Sequence, residues 1–146
     1  MKKQIYFMLL LVSINSLQAQ DWKTDFEEAK SLATKNNQNI VLAFQGSDWC
    51  APCIKLDKEI WSTETFKEFS KKHFIMLKAD FPRKKVNRLD PEQTKKNALL
   101  AEKYNPGGYF PFVVVINKDG KVLGETGYKK VSPEAFIAQL QSFEKN

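Results

Sequence analysis

The chain has 146 residues, 42% of them hydrophobic, which is enough for one globular domain with an adequate core. Its formal net charge is +6, and no stretch interleaves aromatic with basic residues, so nucleic acid is not indicated as a partner. With two cysteines in all, it is not a scaffold stapled by several disulfides.

The first element is a targeting segment. Lys2 and Lys3 form a basic start, Ile5 to Ile14 is an apolar run broken only by Ser13, and Asn15 to Ala19 is short and polar. This pattern predicts a secretory signal peptide over 1–19, cut after Ala19, followed by one domain over 20–146. The apolar run is too short to span a bilayer. Cleavage removes Lys2 and Lys3 and leaves 21 basic against 17 acidic residues, a net charge near +4. The expected location is therefore periplasmic or secreted. In such an oxidising compartment a chain with one vicinal cysteine pair and no other cysteine is unusual, which favours redox work for the pair over a structural role.

In the mature chain Thr24-Asp25-Phe26-Glu27 reads as a capping box with Thr24 as the cap. Phe26, Ala29 and Ala33 then supply the apolar side of a helix ending near Asn36 and Asn37. Trp22, just before the cap, is expected to pack. Ile40 to Phe44 is an apolar run of buried-strand length, closed by Gln45-Gly46-Ser47. Next comes Asp48-Trp49-Cys50-Ala51-Pro52-Cys53, and Leu56 and Ile60, four apart, predict a helix after it. Ser62 is expected to cap another helix with Phe66 and Phe69 on its buried side, Trp61 to pack at the junction, and His73 to end it as a partly exposed cation.

Phe74 to Leu77 predicts a strand closing at Asp80. The segment Phe81 to Arg88 holds four positive charges, and reads either as a solvated loop or as a docking patch for an acidic partner. Asp90, Pro91 and Gln93 open a helix with Ala98, Leu99 and Ala101 as its apolar face, ended by Asn105-Pro106-Gly107-Gly108. Phe112 to Ile116 is a strongly hydrophobic strand, and Asn117-Lys118-Asp119-Gly120 turns it into a hairpin partner ending at Thr126. Ser132 caps a last helix with Phe136, Leu140 and Phe143. The order after the signal, α-β-α-α-β-α-β-β-α, predicts an α/β domain with a mixed sheet covered by helices on both faces.

The chemistry concentrates at Cys50 and Cys53. A strand, a short loop and a helix opening at Cys50 put that sulfur over unpaired N–H groups and the positive end of the helix dipole, which favour the attacking thiolate. Cys53 lies one turn on, within reach of a mixed disulfide formed at Cys50. Pro52 suits the first turn, where its missing N–H costs nothing. Zinc needs about four ligands, and His73 is the only histidine. Cu(I) held by two thiolates stays open, as does a structural disulfide, although so short a loop gains only about 2 kcal/mol from chain entropy.

Trp49-Cys50-Ala51-Pro52-Cys53 resembles the Trp-Cys-Gly-Pro-Cys centre of thioredoxin. The longer run Gly46 to Cys50 with Lys55-Leu56-Asp57 resembles secreted thioredoxin-like proteins related to the C-terminal domain of the bacterial thiol:disulfide interchange protein. The element order is similar to the thioredoxin fold along nearly all of the mature chain. The resemblance implies a thiol:disulfide oxidoreductase with Cys50 as attacker, Cys53 as resolver and a Cys50–Cys53 disulfide when oxidised. Trp49, Ala51, Pro52 and Asp48 would support the site. It also implies a cis bond before Pro111, with Pro111 against the cysteines and the Phe110 backbone pairing with substrate. No cofactor is called for. The implied partners are a disulfide-containing client and a membrane electron donor, with the protein acting as a monomer. A non-catalytic thioredoxin-fold module, binding a partner or Cu(I), is the rival reading. The chain departs from thioredoxin where that family has a buried Asp and its companion Lys: Ala43 or Phe44 and Met76 or Leu77 are expected there. Water or Asp48 would then accept the Cys53 proton. The segment Lys85 to Asn97 is also longer than in thioredoxin, implying an altered partner surface.

Overall fold

A computed structural model describes residues 20–145. The signal peptide expected over 1–19 lies outside them. The elements run β1 (Trp22–Lys23), α1 (Phe26–Asn36), β2 (Asn39–Gln45), α2 (Ala51–Leu56), a π-helical segment (Asp57–Trp61), α3 (Glu64–His73), β3 (Phe74–Asp80), a 3-10 turn (Lys85–Asn87), α4 (Pro91–Tyr104), β4 (Phe112–Ile116), β5 (Val122–Thr126) and α5 (Pro133–Phe143). The sheet order is β1-β3-β2-β4-β5. β1 and β2 are parallel to β3, while β4 is antiparallel to both β2 and β5. The expected α/β architecture, a mixed sheet with helices on both faces, is what forms.

β2 is central, and both its faces are buried, which is why it reads as an unbroken apolar run rather than an alternating one. Val41 and Ala43 face a core shared with Leu56, Ile60, Trp61, Phe66, Phe136 and Leu140, from α2, the π segment, α3 and α5. Ile40, Leu42 and Phe44 face the other core, filled by Ala29 and Ala33 of α1 and by Leu100 and Tyr104 of α4. The sheet is thus clamped from both sides with β2 in the middle, and the chain leaves β2 directly into the cysteine motif.

Local details differ from expectation where a tertiary contact overrides a local pattern. The cap of α1 is Asp25, whose Oδ1 accepts from Glu28 N at 2.9 Å, and the Thr24 carbonyl accepts from the Gln93 side chain at 2.9 Å. Gln93 therefore does not reach back to its own cap, though Asp90 caps α4 through Gln93 N. Thr63 rather than Ser62 caps α3, since Ser62, the C-cap of the π segment, is still helical while Thr63 is extended. The buried side of α4 is Asn97, Leu100 and Tyr104, leaving Leu99 exposed. Asn97 holds that face by donating to Asp80 O at 2.9 Å. Trp22 does more than pack. It belongs to a two-residue strand paired with Met76, too short for any periodicity to reveal, and its ring meets Trp61 edge-on at 5.7 Å. Trp61 is buried as expected, and His73 is exposed, stacked on Phe69 at 4.0 Å.

Candidate active site

The strand-to-helix junction is made by one carbonyl. Gly46 O accepts from Trp49 N at 3.2 Å and from Cys50 N at 2.9 Å, turning the chain sharply after β2. Cys50 stays extended and caps α2, its Sγ accepting from Cys53 N at 3.3 Å. Pro52 lies in the first turn, where no intrahelical partner awaits its nitrogen. Cys50 and Cys53 form a disulfide, with their Cα atoms 5.2 Å apart. As a disulfide both residues are drawn onto the first turn of α2, and each is only 4% exposed.

Trp49 ties the motif to two other segments. Its Nε1 donates to Phe81 O at 2.7 Å, its ring meets Phe110 edge-on at 5.4 Å, and the Arg83 guanidinium lies 3.7 Å over its face. Gly46 is a glycine because a Cβ there would overlap the Trp49 indole. Asp48, a candidate proton acceptor by sequence, is occupied as an anchor: it accepts from Arg83 N at 2.9 Å, Lys84 N at 3.0 Å and Asn87 Nδ2 at 3.0 Å. The Arg83 N–H, then the Asn87 amide, favour its ionised form and hold its pKa below the usual carboxylate value. A carboxylate so held is a poor proton acceptor, so Asp48 supports the site by fixing the loop after β3. Asp80 assists, accepting from Ser47 N and Oγ and from Phe81 N.

The bond between Phe110 and Pro111 is cis. Pro52 shares one groove with Phe110, Pro111, Phe112, Thr126 and Tyr128, so the segment between the cysteines and the segment before β4 border the same opening. Two residues here carry no sequence signal. Buried Asn105 clamps the turn before Phe110, donating to Tyr109 O at 2.8 Å and accepting from Tyr109 N at 3.0 Å. Tyr128 donates to Glu59 Oε2 at 2.6 Å, and that bond raises its pKa by stabilising the protonated phenol. A hint existed for Arg83, as part of the basic run, but none for its place on Trp49.

Ala43 faces the core beneath α2, and its register partner on β3 is Lys78. The Lys78 Nζ points over the Trp22 ring at 5.8 Å. Among the described residues no group of three or more His, Cys, Asp and Glu side chains is placed to hold a metal ion.

Comparison with known proteins agrees with this geometry. A thioredoxin-like family model matches residues 21–118. The disulfide bond reductase DsbH of Chlamydia pneumoniae is 35% identical over 121 residues, covering 83% of this chain and 70% of that protein. A solved DsbH oxidoreductase is similar with a TM-score of 0.81 at 31% identity, covering 94% of this chain and 92% of that one. The oxidised C-terminal domain of Neisseria meningitidis DsbD is similar in fold, with a TM-score of 0.52 at 21% identity over 80% of this chain and 90% of its own. By its matched residues, its sheet and the cysteine pair at the start of α2, the chain belongs to the thioredoxin-like family.

Proposed function

We propose that this thiol:disulfide oxidoreductase is exported after cleavage near Ala19 and works there, as a monomer, reducing disulfides of client proteins. The observation that carries this reading is the Cys50–Cys53 pair capping α2 beside the groove shared by Pro52 and Pro111. The Chlamydia pneumoniae relative, a disulfide bond reductase, supports the same direction.

The cycle starts from the dithiol. The Cys50 thiolate, stabilised by the N–H groups opening α2, attacks one client sulfur; a mixed disulfide forms and the other client sulfur leaves as a thiolate. Cys53 then gives its proton to water, since Asp48 is committed to the loop, and attacks Cys50 Sγ. The Cys50–Cys53 disulfide closes, the second client thiolate leaves, and both client thiolates take protons from solvent. Two electrons have passed to the client. A membrane electron donor must return two electrons to the pair. The Phe110 backbone and Pro111 hold the client strand, which lies extended across the groove.

The test is a protein-disulfide reduction assay with a dithiol reductant as donor. Wild type should turn over; Cys50→Ser should abolish turnover, and Cys53→Ser should accumulate mixed disulfides that excess dithiol releases. Alkylation of the reduced protein at mildly acidic pH should label Cys50 first, and labelling of Cys53 first would exchange the two roles. A wild type that reduces no protein disulfide would leave the rival binding-module reading in place of this one.

A further inference from the structure

The loop after β3 presents charge in a fixed place. Arg83, Lys84, Lys85 and Arg88 are all exposed, and among the described residues none of the four makes an ion pair within 4.0 Å. The two carboxylates bonded to this loop, Asp48 and Asp80, spend their oxygens on its backbone N–H groups, on Asn87 and on Ser47. Four like charges within six residues repel one another, and a slack loop would spread them into solvent. Here three hydrogen bonds to Asp48, the Trp49 Nε1 bond to Phe81 O and the Arg83 stack on Trp49 hold the loop against the redox motif. In its middle Val86 is 87% exposed, an apolar side chain left in solvent among cations.

We infer that residues 83–88 are a docking surface for an acidic polypeptide segment next to the disulfide being reduced. This rests on the reductase reading above and names the chemistry of its client. The argument is charge complementarity combined with position. Asp48 and Trp49 directly precede Cys50, so whatever brings a disulfide to Cys50 also brings its flanking chain to this loop. Cations held in place beforehand raise the encounter rate and orient an acidic segment, and they repel a basic one. A membrane surface fits less well, since a lone valine gives little apolar area to insert.

The experiment compares three probes: two disulfide peptides identical except for three Asp or three Ser beside one cysteine, and the uncharged hydroxyethyl disulfide. At low salt kcat/KM for the acidic peptide should exceed that for the neutral one by about fivefold or more, as two or three exposed ion pairs would give. The preference should shrink as salt is raised. In the variant Lys84→Gln/Lys85→Gln/Arg88→Gln the preference should vanish while turnover of hydroxyethyl disulfide stays as in wild type. Equal rates for the two peptides with wild type, or a preference that survives in the variant, would overturn the docking surface alone. No reduction of any probe would overturn the reductase reading and this one with it. Wild-type binding to vesicles rich in anionic lipid, lost in the variant and without peptide preference, would reassign the loop to membranes.

Discussion

Asp48 and Asp25 show how much one carboxylate can do once its acceptors are used. Asp25 caps α1 and also pairs with Lys96 at 2.9 Å; Asp48 gathers Arg83, Lys84 and Asn87. Both have pKa values lowered in the fold, Asp25 first by the Glu28 N–H and Asp48 first by the Arg83 N–H. A group whose folded pKa lies below its unfolded value stabilises the fold above the unfolded pKa and loses that stabilisation as pH falls through the folded one. The unfolded value is near 3.9, so the urea midpoint should hold level from neutral pH down to about 5 and then fall as acid is added. In Asp48→Asn the acid limb should flatten. The Arg83 and Lys84 amides should also exchange with solvent about tenfold faster, because a neutral amide cannot replace an ionised acceptor of three bonds. Unchanged exchange at those amides would mean that Asp48 does not anchor the loop.

Among elements, the junction from β2 to α2 carries the most constraint, since it places the cysteine pair. One carbonyl takes two N–H groups, and the glycine that owns it lies beneath the Trp49 indole, which is itself bonded to Phe81 and covered by Arg83. The indole is thus held by contacts on several sides, although the residue is only partly buried. Gly46→Ala should therefore cost about 1–3 kcal/mol as an overpacking substitution and displace Trp49 and the 81–88 loop together. The urea midpoint and the tryptophan emission spectrum would report both effects. A variant as stable as wild type, with unaltered emission, would show that the ring can move aside. The caps of α1 and α3 belong to this scale too. In each, two neighbouring residues could cap, and the one that does has extended backbone, Asp25 in α1 and Thr63 in α3, whereas Ser62 is helical as the C-cap of the π segment.

For the whole molecule the open quantity is the direction of electron flow, set by how strongly the reduced pair with its thiolate is stabilised against the disulfide. A strongly oxidising pair has a thiolate pKa of about 3.5 and a potential near −120 mV, whereas thioredoxin has about 7 and about −270 mV. Ala51 and Pro52 offer no polar group between the cysteines, so stabilisation of the Cys50 thiolate comes mainly from the start of α2. Lys55 on α2 and Arg83 over Trp49 add some positive potential nearby. The potential should consequently lie toward the thioredoxin end, shifted upward by those cations. Equilibration with glutathione buffers measures it, and a value above about −150 mV would make the protein an oxidase.

Sequence by itself determined what local chemistry and periodicity encode. The cysteine spacing, Pro52 in the first turn, the apolar run of β2, the helix faces of α3 and α5, and Pro111 ahead of β4 were all legible, because each is written within a few consecutive residues. Their sum was enough for the fold and the reactive pair. What the tertiary structure decided lies between segments far apart in the chain. Register put Lys78 opposite Ala43, a pairing of residues 35 apart in the chain. The caps of α1 and α3 lie one residue beyond those the sequence suggested, and hydrogen bonds from the 83–87 segment turned Asp48 from a candidate proton acceptor into a loop anchor. The stack of Arg83 on Trp49 and the clamp of Asn105 on Tyr109 required folded neighbours to exist at all. Burial and directional bonding depend on distance in space, and a single sequence records only distance along the chain.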